Sequence, residues 1–139
     1  MSADTWVSAD VSTVLAEGFD QGARWLVLRG PASLCAYIGL PVDHPLVRAS
    51  ASYDDLPLDV HGGLTYSNEG DGKHHPAGWF WWGWDYAHAG DRCTYDLESG
   101  RNADEHLWTI EEVTREAKDA LWQFHKLSRI AERAAGTTP

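Results

Sequence analysis

The sequence predicts a small α+β protein in which a mostly antiparallel sheet is covered by a long C-terminal helix. Three observations carry that expectation. Short β-forming apolar runs recur through the first ninety or so residues, and most are closed by glycine or proline. The aromatic run Trp79–Asp85 alternates so that Phe80, Trp82 and Trp84 share one face and Trp79, Trp81, Gly83 and Asp85 the other. From Thr109 onward apolar residues return at helical spacing behind a capping signal.

In chain order, residues 1–8 read as a loose start. Ala9 to Gly22 sets Val11, Val14, Leu15 and Phe19 roughly on one face, which predicts a short helix. Arg24–Arg29 reads as a buried strand closed by Gly30-Pro31, and Leu34–Leu40 as a second, ended by Pro41. Pro41 and Pro45 fix φ on either side of His44 and stiffen that turn. Arg48–Pro57 is a polar, acidic loop, and a third strand is expected to start near Leu58. The turn-rich stretch Asn68–Gly78 leads to a fourth strand, and a connection of that length favours an antiparallel pair.

Cys93–Asp104 reads as polar and irregular. Thr109 with Glu112 fits a capping box, and Ile110, Val113, Ala117, Ala120, Leu121, Phe124, Leu127, Ile130 and Ala131 form the sheet-facing stripe of the helix that follows. One domain is expected over residues 1–133, with 134–139 a flexible tail.

Composition narrows the function classes. The hydrophobic share of 43% and charged share of 23% are those of a soluble globular protein. Acidic residues outnumber basic ones 21 to 11, and a net charge of −10 repels a phosphate backbone, so direct nucleic-acid binding is not expected. No run approaches the ~18–20 apolar residues of a membrane span, and Met1 to Leu15 lacks the basic and apolar regions of a secretory signal. Cys35 and Cys93 make no disulfide framework and no CxxC spacing. A cytoplasmic protein of unspecified oligomeric state is expected. No phosphate loop, dinucleotide fingerprint, HExxH or GxSxG motif is present.

Two segments place histidine and aspartate inside apolar, glycine-broken runs: Leu58–Tyr66 and Trp79–Asp91. Burying such groups costs several kcal/mol unless they are paired. Asp59 and His61 would share one face of a strand, and Asp85, His88 and Asp91 follow at three-residue steps that suit a tight loop. Should the two segments meet, their imidazoles and carboxylates form a mixed N/O set for a divalent metal such as zinc or manganese, with His44, His61, Asp85, His88 and Asp91 as ligands. Without a metal, His61 or His88 paired with Asp59 forms an oriented general base. A purely bracing hydrogen-bond network stands beside both uses.

Trp79, Trp81 and Tyr66 are candidates to line a ligand pocket or a partner surface. Cys35 reads as a small core residue and Cys93 as a slightly better candidate ligand, while His74-His75 read as a solvated loop and His106 and His125 as helix-flank or surface residues.

Three motifs, Cys35-x-Tyr37-x-Gly39-x-Pro41-x-x-His44-Pro45-Leu46, Asp59-Val60-His61-Gly62-Gly63-Leu64-Thr65 and Trp81-Trp82-Gly83-Trp84-Asp85-x-x-His88-Ala89-Gly90-Asp91, resemble a family of small uncharacterised bacteriophage and prophage proteins. The similarity covers roughly residues 34–130 and brings no activity with it. It implies a phage setting and sets His44 beside His61 and His88. The chain departs from the family at Trp84 and Tyr86, where the family has phenylalanine and cysteine, so no role for a cysteine at 86 carries over. The expected function is a His/Asp site for a divalent metal or polar small molecule, with hydrolysis as its chemistry. The alternative is a non-catalytic phage protein that binds a host protein through an acidic, Trp-rich surface.

Overall fold

A computed structural model describes residues 13–30, 32–73, 75–88, 90–93 and 104–136. Five antiparallel strands form one sheet in the order β1-β2-β3-β5-β4: β1 Thr13–Asp20, β2 Ala23–Arg29, β3 Leu34–Pro41, β4 Tyr66–Glu69 and β5 Trp79–Asp85. Helix α1, Pro45–Ala49, follows β3, and the long helix α2, Ile110–Gly136, lies across the sheet. This is the α+β arrangement expected, and no described helix is long and apolar enough to cross a membrane.

Two local expectations are corrected. The stretch from Thr13 to Asp20 is strand β1, not helix, and residues 9–12 lie outside the described residues. Gln21 and Gly22, at φ of 52° and 81°, make a tight turn that folds β1 back on β2, with Asp20 opposite Ala23. Two consecutive left-handed residues match the twist of a hairpin, and Gly22 takes the second place without steric cost. The strand expected from Leu58 begins only at Tyr66, because residues 58–65 are turn and extended chain outside the ladder.

The pleat divides the sheet as its alternation predicts. Ala23, Trp25 and Val27 of β2, Ala36, Ile38 and Leu40 of β3, and Phe80, Trp82 and Trp84 of β5 join Val113, Ala117, Ala120, Leu121 and Phe124 of α2 in the main core. Trp82 packs on Phe124 with ring centroids 5.4 Å apart and donates its indole N–H to Ser50 O at 2.8 Å. On the opposite face Leu26, Leu28 and Trp81 form a smaller cluster with Val14, Tyr37, Tyr66 and Trp79 around it. Gly39 makes that face possible: a Cβ there would stand 2.6 Å from the Trp81 ring.

The capping box forms as expected. Glu112 Oε1 accepts from Thr109 N at 2.9 Å, and Thr109 Oγ1 accepts from Glu112 N at 3.2 Å. The helix runs to Gly136, beyond the boundary expected at 133, and residues 137–139 lie outside the described residues. Ile110 and Ile130 are exposed rather than sheet-facing, whereas His125 and Ser128, within five residues of Ile130, are buried. His125 is not the surface residue its polarity suggests: its Nε2 lies 3.4 Å from Asp20 Oδ2.

Candidate functional site: a His–Asp centre beneath the helix start

Two turns bring the His/Asp segments together. In the first, Gly63 N donates to Val60 O at 2.9 Å, with His61 and Gly62 at the corner. In the second, Asp91 N donates to His88 O at 2.9 Å just beyond the end of β5. His61 Nε2 then lies 2.7 Å from Asp91 Oδ2, and the His61 and His88 rings are 5.7 Å apart.

Asp91 is the hub. Its side chain is 3% exposed, and besides His61 it accepts from the His88 backbone N–H at 3.0 Å and the Trp108 indole N–H at 2.8 Å. Burial alone would raise its pKa. The hydrogen bonds from His61, His88 and Trp108 outweigh burial and hold its carboxyl below the usual carboxylate range. Asp91 is therefore an anion at neutral pH, so the His61 nitrogen facing it is the N–H donor and Nδ1 is left for other work.

His61 is clamped as well as paired. It stacks on Tyr86 with centroids 4.9 Å apart and planes 5° from parallel, and Trp108 covers it from another side at 4.8 Å. Tyr86 is fixed in turn: its hydroxyl donates to Glu116 Oε1 at 2.5 Å and accepts from Trp84 Nε1 at 3.0 Å. Burial, reinforced by the bond to Glu116, pushes the Tyr86 phenol well above its ordinary value, so it stays protonated. His61 keeps 25% of its side chain exposed, and His88 and Asp85 keep about a third of theirs. These three make the open side of the centre.

His88 Nε2 lies 3.1 Å from Asp85 Oδ1 but out of alignment for a hydrogen bond, and the nitrogen is shielded from solvent. Among the described residues no group of three or more His, Cys, Asp or Glu side chains stands where it could hold a metal ion.

Other expected members stand elsewhere. Asp59 is exposed and does not reach His61; its backbone N–H and C=O are held by the Gln123 side chain at 2.9 and 3.0 Å. Its partnership with His61 is corrected to Asp91, because the two do not share a strand. His44 is likewise engaged away from the centre. Its Nδ1 accepts from Leu46 N at 3.0 Å as the cap of α1, and its Nε2 faces Glu132 at 2.9 Å and Ser128 at 3.3 Å. With both nitrogens in use it brings no lone pair to His61 or His88.

The ligand surface of Trp79, Trp81 and Tyr66 is corrected at Trp81, which is 0% exposed and donates its indole N–H to Pro76 O at 3.1 Å. Trp79 and Tyr66 are half-buried around it. His75 is buried among the Tyr37, Tyr66 and Trp81 rings, against the solvated loop expected; His74 lies outside the described residues.

Trp108, Tyr86 and Glu116 went unsuspected as site residues. The one signal for Trp108 is its place directly before the capping Thr109, where a large aromatic must fold back under the helix start. Comparison with protein-family models, curated proteins and solved structures finds no match to this chain.

The Val60–Gly63 turn is tightly specified. Gly62 has φ of 71°, and a Cβ on it would meet His88 Nε2 at 2.4 Å. Gly62→Ala is expected to cost about 2–4 kcal/mol, from the left-handed backbone and the overpacked imidazole together. Gly63→Ala, at φ of 79° with nothing within 4 Å, should lose only the backbone share, about 1–2 kcal/mol. Urea unfolding of both variants reads the difference, and equal losses would mean that the turn does not press on His88.

Proposed function

We propose that this chain binds a polar small molecule at the open side of the centre and acts on it hydrolytically, with His61 as general base and Asp91 as the residue that orients it. One observation supports this above the others: the 2.7 Å pair between a half-open imidazole and a buried carboxylate that is fully supplied with donors. Such a carboxylate selects one tautomer and stabilises the imidazolium that forms when the base takes a proton from water. The motif resemblance to small phage and prophage proteins supports a setting in the cytoplasm of an infected bacterium.

The test is hydrolysis of p-nitrophenyl acetate by wild-type protein against an equal concentration of free imidazole, with folding checked by circular dichroism. Turnover above imidazole is expected, abolished in His61→Ala and reduced at least ~100-fold in Asp91→Asn, while Lys126→Ala leaves it unchanged. Hydrolysis that survives His61→Ala would refute the role given to that residue.

A second reading is a divalent cation held by Asp85 and His88, favoured by their 3.1 Å approach and by the shielded, unaligned His88 nitrogen. Elemental analysis of wild type beside Asp85→Ala and His88→Ala decides it. Near-stoichiometric zinc or manganese, lost in both variants, supports the cation. No metal in wild type after incubation with either ion overturns it.

A further inference from the structure

The start of α2 roofs a cavity of about 300 Å³ whose lining includes Arg29, Arg92, Ser33, Tyr86, Trp108 and Glu111. Two arginines open on one small space in a protein with 21 acidic residues, yet neither makes an ion pair with a described residue. Arg92 Nε is shielded from solvent and has no hydrogen-bond partner among the described residues. A buried guanidinium N–H without an acceptor is costly, and a guanidinium matches the paired oxygens of a carboxylate or phosphate. The first turn of α2 adds to this: the N–H groups of Ile110 and Glu111 have no intrahelical acceptor, and the positive end of the helix lies at the cavity. Tyr86 and Trp108 supply aromatic walls.

From this geometry we propose that the cavity binds a small organic oxyanion, a phosphate monoester or a carboxylate, whose oxygens take Arg29 and Arg92 and whose ring packs against Trp108. The proposal does not rest on the His61–Asp91 chemistry, although Tyr86 and Trp108 are common to both places. Glu111 opposes the anion, as the one carboxylate among the described lining residues. Its removal should therefore strengthen binding.

The test is a titration of the full chain, followed by NMR of the arginine Nε–H, the indole N–H and the backbone amides, with phenyl phosphate and with benzoate at low salt. Saturable shifts at Arg92 Nε–H, the Trp108 indole and the Ile110 and Glu111 amides are expected for at least one ligand. The tighter of the two identifies phosphate or carboxylate as the natural group. Arg29→Gln, at an exposed position where folding is not at stake, should weaken binding by about tenfold or more. Glu111→Gln should tighten it by a few-fold, and added salt should weaken it. No saturation with either ligand, shifts mapping elsewhere, or an Arg29→Gln variant that binds like wild type would each overturn the proposal.

Discussion

Asp91→Ala is expected to cost about 3–5 kcal/mol and to disorder the His–Asp centre. The substitution removes one carboxylate and leaves the His61 ring, the Trp108 indole and the His88 amide without their common acceptor. Each buried donor left unsatisfied costs about 1–3 kcal/mol, reduced where water can enter beside half-open His61. Asp91→Asn keeps the shape but loses the charge, and should cost less.

The comparison between wild type and Asp91→Asn also carries a pH signature. Because the folded carboxyl of Asp91 sits below its unfolded value, its stabilisation is complete above the unfolded pKa, about 4, and fades as pH falls through the folded value. The gap in unfolding free energy between wild type and Asp91→Asn should therefore shrink as pH falls below about 4. A gap that does not change with pH would mean that the carboxylate is not preferentially ionised in the fold.

Trp82→Ala is the second large loss, about 3–5 kcal/mol. Trp82 is 0% exposed, packs on Phe80 and Phe124, and supplies the donor for Ser50 O, so truncation opens a cavity in the main core and orphans a carbonyl. Trp122 is the internal control. It is 60% exposed, with Lys126 over its ring, and Trp122→Ala should cost no more than about 1 kcal/mol. Denaturant unfolding of the two variants side by side checks the contrast, and similar losses would contradict the core described here.

The faces of β5 were legible because successive side chains of a strand point to opposite sides, so once Trp79–Asp85 is read as a strand its division follows. The capping box at Thr109 was legible for a related reason: its two hydrogen bonds are local and need only residues three apart. The β1 hairpin was obscured because Val14, Leu15 and Phe19 also fit a helical stripe. What decided for strand was pairing with β2 across the Gln21-Gly22 turn.

The site was half legible. His61, His88, Asp85 and Asp91 stood out as polar groups within apolar runs, and the fold does bring them together. Their pairing was hidden, because Asp59 is nearer to His61 in sequence while Asp91 is nearer in space. His44 and Trp81 misled for opposite reasons. A proline-braced histidine can cap a short helix as readily as hold a ligand, and a tryptophan beside a glycine notch can be wholly enclosed.

The way Asp91 is held also governs the order in which the molecule assembles. Its donors come from the 60–63 turn, the end of β5 and the approach to α2; the β4–β5 pairing draws the first two together, and the third must be brought in by the start of the helix. The β1–β2 and β4–β5 hairpins can each close at small entropic expense, but Trp108 reaches Asp91 only when the start of α2 docks on the sheet. The centre should therefore be completed only when the start of α2 docks. It should also be among the earliest native features to dissolve when the start of α2 frays from the sheet.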